Sequence, residues 1–165
     1  TLSADIVLDD MNLQALTEVF GFGEIIGALD GSIRQLRLVD WSAQSFNAEL
    51  HTDPAWKGRQ RISQRAVQDL SSVGGNAGGL GNSLQAQALK LFDDFGYRQI
   101  GISCRLAEEV CEMDGLSSAA NSFSIVQGSG LPRLSVVGFN RRVDWPTLVE
   151  RLVAVTEGDS TPIIE

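Results

Sequence analysis

Apolar and polar residues alternate one for one through several stretches of this chain, and that period commits those stretches to β-structure. Leu2, Ala4, Ile6 and Leu8 fall on one side of residues 2–9, with Ser3, Asp5 and Asp9 on the other. A period of two sends successive side chains to opposite faces, so such a strand offers one face to a core and one to water. Leu36 and Leu38 repeat the pattern, as do Phe46, Ala48 and Leu50 against Asn47, Glu49 and His51. Ile100, Ile102, Cys104 and Leu106 do so against Gln99, Ser103 and Arg105. Leu134 and Val136 lie in a further strand over 133–139. Neighbouring strands joined by short turns favour antiparallel pairing.

Helical spacing interrupts the strands at defined places. Asn12 can cap a short helix carrying Leu13, Leu16 and Phe20 on one stripe, ended by Gly21 and Gly23. Asp30-Gly31 is a two-residue turn signal and predicts a hairpin between strands 24–29 and 32–40. Ile62, Ala66, Leu70 and Val73 predict one middle helix, and Leu84, Ala88, Leu91, Phe92 and Phe95 a second. Residues 74–82, rich in Gly, read as the connector between them. Asp144 caps a final helix with Trp145 and Pro146 in its first turn and Leu148, Leu152 and Val155 on its apolar stripe. Residues 159–165 read as a flexible tail. The expected order is strand, helix, three strands, two helices, four strands, helix. That is an α+β fold: a curved, predominantly antiparallel sheet with amphipathic helices on one face or at its end. The 165 residues form a single segment.

The side-chain inventory is narrow. With one His, His51, and two Cys, the chain cannot build a multi-His metal centre, a zinc finger or a catalytic array needing a second His. Its net charge of −8 argues against nucleic acid as a partner. The adjacent carboxylates Asp9/Asp10, Asp93/Asp94 and Glu108/Glu109 should point apart on regular elements and so not converge on a substrate. The Gly-rich segment lacks the Lys-Ser/Thr of a phosphate loop. These exclusions predict no catalytic residues, no metal and no cofactor. Four cations, Lys57, Arg59, Arg61 and Arg65, could meet phosphate headgroups or an acidic partner, or simply face water. Cys104 and Cys111 fall opposite one another across a hairpin whose turn centres on Ala107-Glu108. They form either a disulfide, which implies an oxidising compartment, or a pair of buried thiols. No stretch is apolar enough to span a membrane. The start at Thr1 reads as a cut from a longer chain, whose missing part could hold an anchor.

Several blocks together carry a resemblance. They are Gly31-Ser32-Ile33-Arg34-Gln35-Leu36-Arg37-Leu38-Val39-Asp40-Trp41, Arg61-Ile62-Ser63-Gln64-Arg65-Ala66-Val67 and Phe92-Asp93-Asp94-Phe95-Gly96-Tyr97. Ile102-Ser103-Cys104-Arg105-Leu106, Val110-Cys111-Glu112-Met113, Gly130-Leu131-Pro132-Arg133 and Gly138-Phe139-Asn140-Arg141-Arg142-Val143-Asp144-Trp145-Pro146 complete them. Over residues 24–155 the chain resembles the C-terminal region of the YdbH-like proteins, within the AsmA-like and TamB-like group. The resemblance implies a periplasmic segment of an inner-membrane-anchored, groove-shaped β-protein that moves phospholipid between membranes. It implies no catalytic residues. It implies a small outer-membrane lipoprotein as partner, which could add a strand to an open sheet edge. The apolar positions Leu36, Leu38, Phe46, Ala48, Leu50, Ile100, Ile102, Leu134 and Val136 are then candidates for the groove or for the core face. Because the helices need the same face, the segment is expected to close or narrow the groove at its distal end. A protein-interaction module that carries no lipid is the rival reading.

Overall fold

The computed structural model describes residues 1–73, 91–130 and 133–157. The chain runs β1 (Leu2–Asn12), α1 (Leu13–Phe20), β2 (Ile25–Ile26), β3 (Ala28–Val39), β4 (Ser42–Thr52), β5 (Arg61–Ser63) and α2 (Gln64–Val73). After residue 90 come β6 (Asp94–Ala107), β7 (Val110–Gly115), β8 (Ser117–Ser118), β9 (Phe123–Gly128), β10 (Ser135–Gly138), β11 (Arg142–Asp144) and α3 (Trp145–Thr156). The α+β class and the large open antiparallel sheet are as the alternation predicts. None of the described helices is long and apolar enough to cross a membrane.

One strand organises the sheet. β6 has 14 residues, roughly 45 Å of extended chain, and is long enough to pair with two partners along each edge. On one edge it meets β4, from Leu106 opposite Phe46 to Gly101 opposite His51, and then β5 at Asp94–Gly96. On the other it meets β7 over Ile102–Ala107 and β9 over Tyr97–Ile100. One wing therefore runs β1-β3-β4-β6-β7-β11, while β2, β5, β8, β9 and β10 gather round the other half of β6. β1 pairs only with β3, which leaves its outer edge open among the described residues.

Bulges bend the first wing. Gln35 and Asp10 both hold a left-handed backbone, at φ 55° and 52°. The β1–β3 register shifts beside each of them. Side chains pin both irregularities: the Gln35 amide donates to Asp5 Oδ1 at 2.7 Å, and the Asp10 amide to Asp30 Oδ1 at 2.9 Å. An extra residue on one strand increases local twist and turns a flat ribbon into a curved one.

The helices start and stop where their caps dictate. Asn12 accepts from the Ala15 amide at 3.1 Å, and Gly21, at φ 66°, closes α1. Asp144 accepts from the Thr147 amide at 3.1 Å and the Thr147 hydroxyl at 2.8 Å. Among the described helices α1 packs on β1 and β2, α2 on β5 and β10, and α3 on β11 and α2. Ile62, Val67, Tyr97, Phe123, Ile125, Val126, Leu134, Val136 and Val155 are essentially sealed from water.

Two local expectations change. Asp30-Gly31 is not a turn but lies inside β3, paired to β1 and β4; the hairpin turn is Asp40-Trp41, at φ 51° and 63°. A Cβ at Gly31 would run into the Glu49 carbonyl and Leu50, so the glycine serves close strand approach. Phe95 is not the end of a helix; it is buried in β6 and pairs with Ile62. The Gly-rich connector 74–82, the Leu84–Ala88 part of the second middle helix and the tail 159–165 lie outside the described residues.

Candidate functional site

Cross-strand register shows which side chains share a face. Ile6 pairs with Ile33, Ile33 with Ala48, and Ala48 with Cys104, a row of apolar side chains across four strands. Beside it run Leu8, Gly31, Leu50 and Ile102. On its other side Leu36 sits opposite Ala4 and Leu38 opposite Leu2, while Phe46 faces Leu106. This surface is continuous from β1 to β7, where Leu106 and Cys104 pair with Cys111 and Met113.

What covers this face changes along its width. At the β7 end α3 lies over it. Trp145 meets the ring of Phe46 edge-on, with centroids 5.3 Å apart and planes at 75°, and Leu148 is buried. At the β1 end Leu2 is 51% and Ile6 38% exposed, and Leu8, Ile33, Leu36, Leu38, Ala48 and Leu50 are half-buried. The principal packing partners of the described helices are β1, β2, β5, β10, β11 and one another, rather than β3 or β4. Val149 and Val153 follow Trp145 at helical spacings of four and eight and remain exposed, so α3 continues an apolar stripe from its contact with Phe46. The result is a trough, an apolar β1-β3-β4 face that ends where Trp145 of α3 meets Phe46.

The candidate groove positions therefore separate into two groups. Leu36, Leu38, Phe46, Ala48, Leu50 and Ile102 lie on the trough face. Ile100, Leu134 and Val136 belong to the closed core. Trp145 of α3 covers the face at Phe46, while Leu2 and Ile6 at its β1 end stay exposed. Ile6, Leu8 and Ile33 share this face without being among the candidate groove positions, although the first two continue the alternation from Leu2.

Cys104 and Cys111 form a disulfide with their Cα atoms 5.5 Å apart. The turn is Glu108-Glu109, so Cys111 pairs with Leu106 and Cys104 with Met113. The bond thus runs diagonally between same-face positions rather than directly across.

The basic run does not converge on one place. Arg61 is bonded to Asp94 through its Nε and a terminal nitrogen. Arg65 donates to the Gly21 carbonyl at 3.1 Å and lies 3.7 Å from buried Asp69. Lys57 and Arg59 are exposed. Two of the four cations are thus used inside the fold.

A depression of about 530 Å³ is lined by Asn47, Glu49, His51, Gln99 and Ser103 together with Leu50, Pro54, Ile102 and Leu116. His51 Nδ1 is 3.2 Å from the Thr52 carbonyl. No hydrogen bond or ion pair is found linking His51 to Glu49 or Ser103 among the described residues. The lining is mixed, and its polar residues do not form a proton-transfer chain. Asp9, Asp10 and Asp30 bring carboxylate oxygens within 4.8 Å of one another, contrary to the expectation that adjacent acids point apart; the left-handed backbone at Asp10 is the cause. Asp9 chiefly, then burial, Asp53 and Asp30 push the Asp10 carboxyl above its ordinary range.

No protein-family model matches the chain, and neither a curated protein nor a solved structure matches it significantly.

Proposed function

We propose that this chain is a non-enzymatic, periplasmic segment of an intermembrane phospholipid-transport bridge of the YdbH-like kind, and that the trough carries acyl chains. The observation that carries the reading is the half-open apolar face of β1, β3 and β4. A fold that needed this surface only for its own core would cover it. Contiguous exposed apolar surface on a soluble domain instead marks an interaction site. A curved, apolar trough suits chains that are long, flexible and without hydrogen-bonding groups. The disulfide supports an oxidising compartment.

The same reading assigns the outer edge of β1, 11 residues long, to a partner strand, for which a small outer-membrane lipoprotein is the candidate. The rival is an interaction module that uses this edge without carrying lipid. Lys57 and Arg59 remain available for phosphate headgroups near the fold's surface.

A photoreactive amino acid placed singly at Leu36, Leu38 and Ile102 in cells tests the conduit. Crosslinks to phospholipid at these positions, with none at sealed Val136, are the expected result. Crosslinks to protein alone would leave the interaction module, and no crosslink at any trough position would overturn the conduit.

A further inference from the structure

We propose that the β3–β4 hairpin tip seats Trp41 in the interfacial zone of a zwitterionic phospholipid surface, so that the trough opens at headgroup level. Trp41 is 88% exposed, the highest value among the exposed large apolar side chains of the described residues. It occupies the second central position of a turn in which both central residues are left-handed, where Gly is ordinarily favoured and a bulky side chain is strained. The β6–β7 hairpin has the same backbone with Glu108-Glu109, side chains that water solvates well. Trp41 has neither solvation nor burial to offset its conformation, which points to a contact outside the chain.

The surroundings favour a lipid surface. The tip projects past its neighbour: β4 begins at Ser42, whereas its pairing with β6 begins only at Phe46. Just behind it, Leu38 and Leu2 form a cross-strand pair at the end of the trough floor, with Leu2 half in water. An indole with exposed aliphatic neighbours suits the boundary between acyl chains and headgroups. Asp40 at the tip, Glu108-Glu109 on the adjacent hairpin and the net charge of −8 disfavour a strongly anionic membrane, so a zwitterionic surface is the occupant. The choice of lipid rests partly on the conduit reading; the exposure and backbone of Trp41 do not.

The test is flotation of the 165-residue protein with phosphatidylcholine vesicles, together with quenching of its tryptophan emission by brominated acyl chains. The wild-type protein should float and be quenched, and replacing part of the phosphatidylcholine with phosphatidylglycerol should weaken both. Trp41→Ala should lose about tenfold in partitioning and most of the quenching, and Trp41→Gly, which suits the turn, should lose the same while remaining folded. Equal flotation of wild type and both variants would overturn the proposal. So would a Trp41 emission shift that follows protein concentration without vesicles, since that assigns the tip to a second copy. Loss of flotation in variants that still yield trough crosslinks to phospholipid separates the tip from the conduit. Unchanged flotation with trough crosslinks intact would sink only the tip, and flotation lost in the variants with no trough crosslinks even in the wild type would sink only the conduit.

Discussion

Trp41 and Tyr97 show how single residues can work against or for the fold. Trp41 holds φ 63° with its ring in water, so replacing it with Gly removes left-handed strain and gives up almost no burial. Trp41→Gly should raise unfolding free energy by about 1 kcal/mol, measurable by urea denaturation; a loss of stability would show that the indole packs on the hairpin. Tyr97 is the opposite case. It is 2% exposed, its hydroxyl donates to the Ile26 carbonyl at 2.8 Å, and burial pushes its pKa up from 10.0 to about 12. The folded state therefore keeps the phenol proton over a range where the unfolded chain releases it. The resulting stability is fully present below pH 10.0 and is lost as pH rises through about 12. Tyr97→Phe should cost about 1 kcal/mol at neutral pH and make stability less sensitive to alkali. Denaturation curves from neutral pH to the alkaline limit check both effects, and an unchanged alkaline slope in the variant would assign that slope to other groups.

At the scale of elements, the β6–β7 hairpin shows what spacing can reveal. A separation of seven puts the two cysteines on opposite arms of one tight hairpin, close to its turn, and that much is readable from sequence. The turn itself sits one residue later than expected, at Glu108-Glu109, because left-handed turns need not contain Gly. For the same reason Asp40-Trp41 carries no turn signal in the sequence, while Asp30-Gly31 carries one although its glycine serves strand contact. Turn chemistry is statistical, whereas face alternation is geometric, so strands were more legible than their connections. The diagonal disulfide closes a small loop, for which chain entropy gives roughly 2.5 kcal/mol. Cys104→Ala with Cys111→Ala should lower stability by about that amount and leave far-UV circular dichroism unchanged. A loss near zero would mean that the hairpin is equally restricted in the unfolded chain. Arg141 and Arg142 assist at the same element, pairing with Asp114 and Glu112 and holding the strand before α3 against β7. Asp114 is kept below its ordinary pKa by the Gly115 amide first, and also by Ser118 and Arg141. Its contribution to stability is therefore present above the unfolded carboxyl range and lost as pH falls through its lowered folded value.

For the molecule as a whole, the decisive question is which apolar residues hold the fold together and which are kept for another molecule. Alternation could not answer it, because a period of two identifies a face without saying what lies over it. Val136 and Leu38 looked equivalent in sequence. In the fold Val136 is fully buried beneath the helices, while Leu38 is half-buried at the trough's open end. Their substitutions should consequently separate stability from cargo. Val136→Ala removes two buried methyl-sized groups and leaves a void, and should cost about 2 kcal/mol. Leu38→Gln exchanges a partly hydrated side chain for a polar one of similar length and should cost under about 1 kcal/mol. If the trough carries acyl chains, the ordering reverses for lipid. Leu38→Gln, alone or with Ile6→Gln, puts amide groups on the floor that an acyl chain cannot hydrogen-bond, so bound chains would leave those groups dehydrated and unsatisfied. Native mass spectrometry of the purified proteins should then show phospholipid with the wild type and with Val136→Ala at temperatures where it is folded, and much less with the Leu38 and Ile6 variants. Should lipid instead follow stability across the whole set, the half-open face would be a loosely covered part of the core, and the conduit reading would fall with it.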